Sequence, residues 1–270
     1  MGSADAVFAG SIPAIYEEYL VPLLFEPYAH DIAQRLTDLR TGVVLEIAAG
    51  TGAVTRALLN ALPPAVQIMA TDLNEAMLRV GETRASGASV SWRQADAQKL
   101  PFDDASIDAV VCQFGVMFLP DKPAAYREAL RVLRPGGRYV FNVWGSLEYN
   151  EVSDVVTRAV AALFPNDPPR FFARTPFGYH DVEAIRQELA VAGFGGIEIE
   201  TVDKVTRVPS PAYAAFGLCK GTPLRGEIEA RAPTGLDEIT GVATDALAAC
   251  FGSAAFDNRM RAHVVTAYRT

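Results

Sequence analysis

Apolar residues recur along this chain with two different periods, and the switches between them mark an alternating order of strands and helices. Val43-Val44-Leu45-Glu46-Ile47 is a short, mostly β-branched run that ends in the small residues Ala48-Ala49-Gly50-Thr51-Gly52. Val54, Ala57, Leu58, Ala61 and Leu62 then recur at helical spacing, one apolar face of a helix. Strand, tight small-residue turn and helix open a nucleotide-binding α/β unit, in which the backbone passes close to a ligand. Val66 to Ala70 reads as a second strand and Ser89 to Arg93 as a polar third. Ile107 to Phe114 is nearly continuous in apolar residues, as a buried parallel strand is. Lys122 to Arg134 places Tyr126, Ala129, Leu130 and Leu133 on one helical face, and Pro135-Gly136-Gly137 breaks it before a fifth strand, Tyr139 to Trp144. Val182, Ile185, Leu189 and Ala192 mark another helix ended by Gly193. Ile197 to Val208 alternates as a half-exposed sixth strand, and Val264 to Tyr268 reads as a seventh.

The chemistry at the strand ends narrows the ligand. From Gly50 the loop reads Gly-Thr-Gly-Ala-Val-Thr, without the third glycine of a dinucleotide fingerprint, and no Gly-Lys-Ser/Thr follows to serve a triphosphate. Glu46 faces the loop, a poor neighbour for pyrophosphate and a tolerable one for a cationic or zwitterionic ligand. Asp72 ends the second strand twenty residues after Gly52, where a doubly wound fold puts the acid that accepts both ribose hydroxyls. As a strand-end carboxylate it is expected to face solvent and to matter little to folding. Asp96, after the third strand, can accept from an exocyclic adenine amine. Three acids at three successive strand ends, with no phosphate-binding base among them, describe a nucleoside site.

These motifs in this order, Glu46 to Gly52, Thr71-Asp72-Leu73-Asn74-Glu75-Ala76-Met77-Leu78, Asp96-Ala97 with Leu100-Pro101-Phe102, and Arg131 to Arg138, resemble class I S-adenosylmethionine-dependent methyltransferases. The branch is that of the ubiquinone/menaquinone C-methyltransferases, and the match covers roughly residues 40 to 145. One departure is Ala48, where members usually carry glycine. The resemblance implies an α/β fold: a doubly wound, Rossmann-like seven-stranded sheet whose last strand runs antiparallel between the fifth and sixth. It implies S-adenosylmethionine as cofactor and S-adenosylhomocysteine as product. Ala48, Gly50 and Gly52 would lie beside the methionine part, with Glu46 on the amino group or merely tying down the loop. Asp72 would hold the ribose, Leu73 and Met77 the adenine face, although Met77 also suits plain core packing. Asp96 would take the adenine amine, or cap its own loop, and the Ala97 N–H a ring nitrogen. Gln113 and Phe114 would face the methionine and the sulfonium.

Three segments exceed that plan: about 1–27, 148–180 and 209–261. They are expected to form a helical cap on a core of about 28–147, 181–208 and 262–270, all one methyltransferase domain over 1–270. Tyr16, Tyr19, Phe25, Met117, Phe171, Phe172 and Tyr179 are the candidate pocket residues for a small apolar or aromatic methyl acceptor, ordinary packing being the alternative for each. His180 and His30 are the available general bases, and neither sits in a diagnostic motif; His180 also suits a capping role before Asp181.

Composition adds exclusions. A net charge of −8 over 270 residues, with no basic stripe, argues against nucleic acid as partner. Cys112, Cys219 and Cys250 are scattered, with no CxxC and no clustered ligands for a metal. No apolar run approaches membrane-spanning length, and Met1 to Ala6 lacks the basic residues of a signal peptide, as expected of a cytoplasmic enzyme. Two other readings stay open here: a Rossmann oxidoreductase using NAD(P), disfavoured by the missing glycine and by Glu46, and a binding protein that keeps the cofactor site without transferring a methyl group.

Overall fold

The computed structural model describes Asp5, residues 8–85, Gly87 and residues 89–270. The N-terminal stretch where no leader is read falls, apart from Asp5, outside the described residues. In chain order the helices are α1 (Ile12–Ile15), a wide π-type element (Tyr16–Phe25), α2 (Glu26–Gln34), α3 (Ala53–Ala61), α4 (Glu75–Arg84) and α5 (Lys122–Val132). They continue as α6 (Glu151–Ala162), α7 (Phe171–Arg174), α8 (Val182–Ala192), α9 (Pro211–Lys220), α10 (Leu224–Arg231) and α11 (Leu236–Phe251). The strands are β1 (Gly42–Glu46), β2 (Val66–Asp72), β3 (Val90–Gln94), β4 (Ile107–Gln113), β5 (Leu133–Trp144), β6 (Gly195–Val208) and β7 (Phe256–Tyr268).

The strands form one seven-stranded sheet in the order β3-β2-β1-β4-β5-β7-β6. β1 pairs in parallel with β2 and β4, β2 with β3, and β4 with β5. The final strands are antiparallel, with β7 between β5 and β6, the Rossmann-like order that the sequence motifs imply. The chain order therefore reverses between β1 and β4, the switch point outside which ligands of doubly wound sheets bind.

Two compact units emerge from the packing. One contains residues Tyr28–Val143, His180–Val202 and Ala262–Thr270. Its core joins Ile32 of α2 and Leu36 of the turn after it to Val54 and Leu58 of α3 and to Val44, Ile68, Val111, Val140 and Val264 of the sheet. Caps fix its helices: the Asp121 side chain accepts from Ala124 N–H, and Asp181 accepts from Glu183 and Ala184 N–H. The second unit holds the chain through Pro27, Trp144–Tyr179 and Asp203–Arg261. There α11 lies against α6 and α9, and α9 against the π-type element.

β7 begins eight residues earlier than the run Val264 to Tyr268 indicates. Phe256, Asn258, Met260 and Ala262 are buried in alternation with more exposed neighbours, so the period of two is present. The buried polar Asn258 hides it, and its Oδ1 is satisfied by the Val152 N–H at 3.4 Å.

Candidate active site

The small-residue loop after β1 is fastened at almost every step. Ile47 N–H donates to Val111 O and Ala49 N–H to Thr71 O, both at 2.9 Å, and Gly52 N–H closes on Ala49 O at 2.9 Å. Gly50 N–H donates to Asp72 Oδ2 at 2.8 Å. Ala48 sits at φ 53, in the left-handed region, which explains why glycine suits this position and makes alanine a tolerated but strained occupant. A side chain on Gly115 would come within 2.5 Å of the Ala48 methyl carbon and 2.7 Å of Cys112 Sγ, so that glycine clears the room the alanine needs.

Gly52, at φ 81, begins α3 in a conformation that only glycine adopts freely. A Cβ there would meet Trp92 Cη2 at 2.6 Å, and one on Gly81 of α4 would meet the same atom at 2.6 Å. Trp92 of β3, its indole N–H donated to Ala85 O at 3.0 Å, is thus a wedge that sets how closely α4 and the loop approach. Neither Trp92 nor Gly81 stands in a motif that the sequence reading singles out.

Side-chain alternation builds the floor of the site. Val44, Val111 and Val140 belong to one core cluster, so two residues further on Glu46, Gln113 and Asn142 project from that same face of the sheet. Gln113 and Asn142 are register partners at the carboxyl ends of β4 and β5. Glu46 is 2% exposed, accepts the Thr55 hydroxyl at 2.5 Å, and forms no ion pair among the described residues. Burial pushes its carboxyl up to about 8, with nearby Asp72 acting in the same direction and the Thr55 hydrogen bond and Arg56 charge opposing.

Asp72 differs from the expected solvent-facing carboxylate: it is 8% exposed, and burial raises its pKa despite the hydrogen bonds it accepts. Besides Gly50 N–H it accepts Asn74 N–H at 2.7 Å on Oδ1. The strand end is closed over by the loop it holds, which the position of an acid in the sequence does not disclose. Next to it Leu73 is 52% exposed, whereas Met77 is buried with its methyl 3.5 Å from the position a Gly50 side chain would take. Asp96 Oδ1 accepts Gln98 N–H at 2.9 Å, fastening its own loop, and Ala97 beside it is buried. Phe114 is buried at φ 48, edge-on to the Tyr28 ring at 5.3 Å.

The candidate acceptor residues divide. In the second unit Tyr16 stacks on Phe25 at 4.9 Å, Phe25 neighbours Trp144 at 6.1 Å, Trp144 neighbours Phe177 at 5.8 Å, and Phe172 links Phe177 to Phe171. Tyr19 instead packs on Tyr213 and Phe216. The π-type winding accounts for this split: its turns take more than four residues, so the nine from Tyr16 to Phe25 span about two turns, while three residues fall short of one. Trp144 and Phe177 extend the aromatic series beyond the residues that the sequence marks out. Tyr179 is half-buried, and Met117 is buried in a short turn after β4 in the other unit. His30 and His180 are both exposed.

The residues fit a cationic, phosphate-free nucleoside cofactor. A buried acid without an ion-pair partner, a second acid at the β2 end, and a loop whose Thr51 Oγ1 is buried with no hydrogen-bond partner among the described residues make up the polar set. No group of three or more His, Cys, Asp or Glu among the described residues could hold a metal ion, and no described helix is long and apolar enough to cross a membrane.

Comparison with known proteins gives this site its class. Residues 45–141 match a methyltransferase-domain family. The ubiquinone/menaquinone biosynthesis C-methyltransferase UbiE of Pseudomonas savastanoi pv. phaseolicola is 36% identical over 176 residues, 60% of this chain and 69% of that protein. The UbiE of Pseudomonas aeruginosa strain LESB58 is 33% identical over 183 residues. Among solved structures, phosphoethanolamine N-methyltransferase 2 of Haemonchus contortus in complex with S-adenosyl-L-methionine shares the fold at TM-score 0.60 and 19% identity, over 96% of this chain and 56% of that one. The [4+2]-cyclase SpnF shares it at TM-score 0.55 and 20% identity, over 91% of this chain and 80% of that one, so the fold alone does not dictate the reaction. The chain belongs to the S-adenosylmethionine-dependent methyltransferases, in the family of the ubiquinone/menaquinone C-methyltransferases.

Glu46 gives the first expected result. Its acid is raised from 4.5 to about 8 in the folded protein, so the folded state holds a proton that the unfolded chain releases. The contribution to stability is complete below the unfolded value and is lost as pH rises through about 8. The ligand-free protein should melt progressively lower between about pH 4.5 and pH 8, the window that the two values set, and Glu46→Gln should flatten that dependence. Thermal melts of both proteins across the range check it; parallel curves would contradict the buried-acid assignment.

Proposed function

We infer that the enzyme transfers its methyl group to a small, apolar or aromatic molecule. The observation that carries this reading is the aromatic series Tyr16, Phe25, Trp144, Phe177, Phe172 and Phe171, which suits a planar or apolar acceptor. The relatives' names, which place them in ubiquinone/menaquinone biosynthesis, agree in chemical class. A net charge of −8 leaves little to attract a polyanionic acceptor.

On this reading Glu46 receives the cofactor's amino group, Ala48, Gly50 and Gly52 bring their backbone against its methionine part, and Gln113 and Phe114 border the sulfonium. Asp72 holds the ribose, Leu73 and Met77 flank the adenine, and Asp96 with the Ala97 N–H read its edge. The cofactor supplies an activated methyl on a positively charged sulfur. Because that charge disappears in an in-line displacement, alignment and exclusion of water account for most of the acceleration, and the chain needs no covalent intermediate. Glu46 becomes the acceptor of an ammonium only when ionised, so binding near pH 7 releases a proton from it. Calorimetry in two buffers of different ionisation heat detects that release.

The acceptor class is tested by incubating the enzyme with methyl-labelled S-adenosylmethionine and a panel of hydroquinones, phenols, aliphatic amines and oligonucleotides. Label is expected in the aromatic, solvent-extractable products. Label confined to amines or oligonucleotides would contradict the reading.

A further inference from the structure

From Tyr139 to Trp144 every side chain of β5 is apolar or aromatic except that of Asn142, which is 0% exposed. Its Oδ1 accepts the Phe114 N–H at 2.9 Å, and its main-chain oxygen shares that donor at 3.2 Å. Its Nδ2 is buried with no hydrogen-bond partner among the described residues. The Phe114 donor fixes which way the amide faces, because a reversed amide would set N–H against N–H. A buried amide nitrogen without an acceptor weakens a fold, and a leucine at this place would not. Phe114 meanwhile holds a φ of 48, which a bulky L-residue rarely adopts.

Two unfavourable features thus meet in one hydrogen bond, at the carboxyl ends of β4 and β5, beside Glu46 on the same sheet face. Strain concentrated in this way persists where geometry matters more than stability. We propose that Asn142 is a positioning residue. It holds Phe114 in the left-handed conformation, so that the Gln113–Phe114 turn meets the methionine part of the cofactor in a single geometry. The proposal rests on the assignment of Gln113 and Phe114 to that part of the cofactor.

The test uses the whole protein and S-adenosylhomocysteine as probe, with affinity read by calorimetry and stability by thermal melting. Asn142→Leu should bind about tenfold more weakly, with an unchanged or higher melting temperature. Asn142→Asp keeps an oxygen for the Phe114 N–H and loses no hydrogen bond at Nδ2, and burial favours its neutral form, so its affinity should stay within about threefold of wild type. In a Phe114→Gly background, where the left-handed conformation needs no support, Asn142→Leu should cost less than about threefold. Should the leucine variant fail to fold, Asn142→Ala is read in its place. Wild-type affinity in the leucine variant, or equal losses in the leucine and aspartate variants that track melting temperature, would overturn the proposal. A wild-type protein that takes up no S-adenosylhomocysteine would instead overturn the cofactor assignment, and the proposal with it.

Discussion

Replacing Asp72 by alanine should cost the protein both cofactor affinity and stability, and a conservative variant separates the two. The carboxylate is proposed to accept two ribose hydroxyls, bonds of about 1.5–3 kcal/mol each before water compensates, so S-adenosylhomocysteine should bind about 10- to 100-fold more weakly. The same oxygens accept Gly50 N–H at 2.8 Å and Asn74 N–H at 2.7 Å. Alanine strands both donors at a buried position, and relief from burying the acid offsets part of that loss. A net destabilisation on the order of 2 kcal/mol lowers the melting temperature by roughly 4–8 °C in a protein of this size. Asp72→Asn keeps one acceptor for the loop while replacing the other with a donor that cannot accept from a hydroxyl. Its amide nitrogen faces one of the two backbone donors, so it should melt between wild type and the alanine variant while losing about as much affinity as alanine does. Equal affinity in wild type and both variants would sink the ribose assignment; loss of affinity in strict proportion to melting temperature would reduce Asp72 to a loop fastener.

The second large effect is expected at Gly52. Alanine at φ 81 incurs a backbone penalty of about 1–2 kcal/mol, and its Cβ must also displace the Trp92 ring from 2.6 Å. Together these should destabilise the protein by roughly 2–4 kcal/mol, within the range of overpacked sites, and weaken S-adenosylhomocysteine binding because the loop shifts with the ring. Trp92→Leu removes the obstruction and leaves the backbone term. The Gly52→Ala/Trp92→Leu double variant should therefore lose less, relative to Trp92→Leu alone, than Gly52→Ala loses relative to wild type. Additive melting shifts across that cycle would show that Trp92 does not set the approach of the loop.

What was legible in the sequence was the part governed by period and by turn chemistry. β1, β2, β4, α3 and α8 carry regular apolar patterns closed by Gly, Pro or acidic caps, and the strand order of the sheet was implied by the family resemblance that the motifs carry. What was not legible depends on contacts between residues distant in the chain. The first half of β7 hides behind buried Asn258, which only its partner N–H from Val152 explains. The π-type winding of Tyr16–Phe25 separates Tyr19 from Tyr16 and Phe25, and no local signal marks it. Asp72 reads as a solvent-facing strand-end carboxylate until the Gly50 loop is seen folded over it. Trp92 and Asn142 belong to no motif at all. Their meaning lies in the space around Gly52 and Gly81 and in the strained backbone of Phe114.

The most direct test of the central claim is a calorimetric titration of the ligand-free protein with S-adenosylhomocysteine, repeated with NAD and in competition. A phosphate-free site lined by Glu46, Asp72 and Asp96 predicts binding in the micromolar range, about −8 kcal/mol, undisturbed by an excess of NAD. Tight NAD binding with no heat from S-adenosylhomocysteine would contradict it.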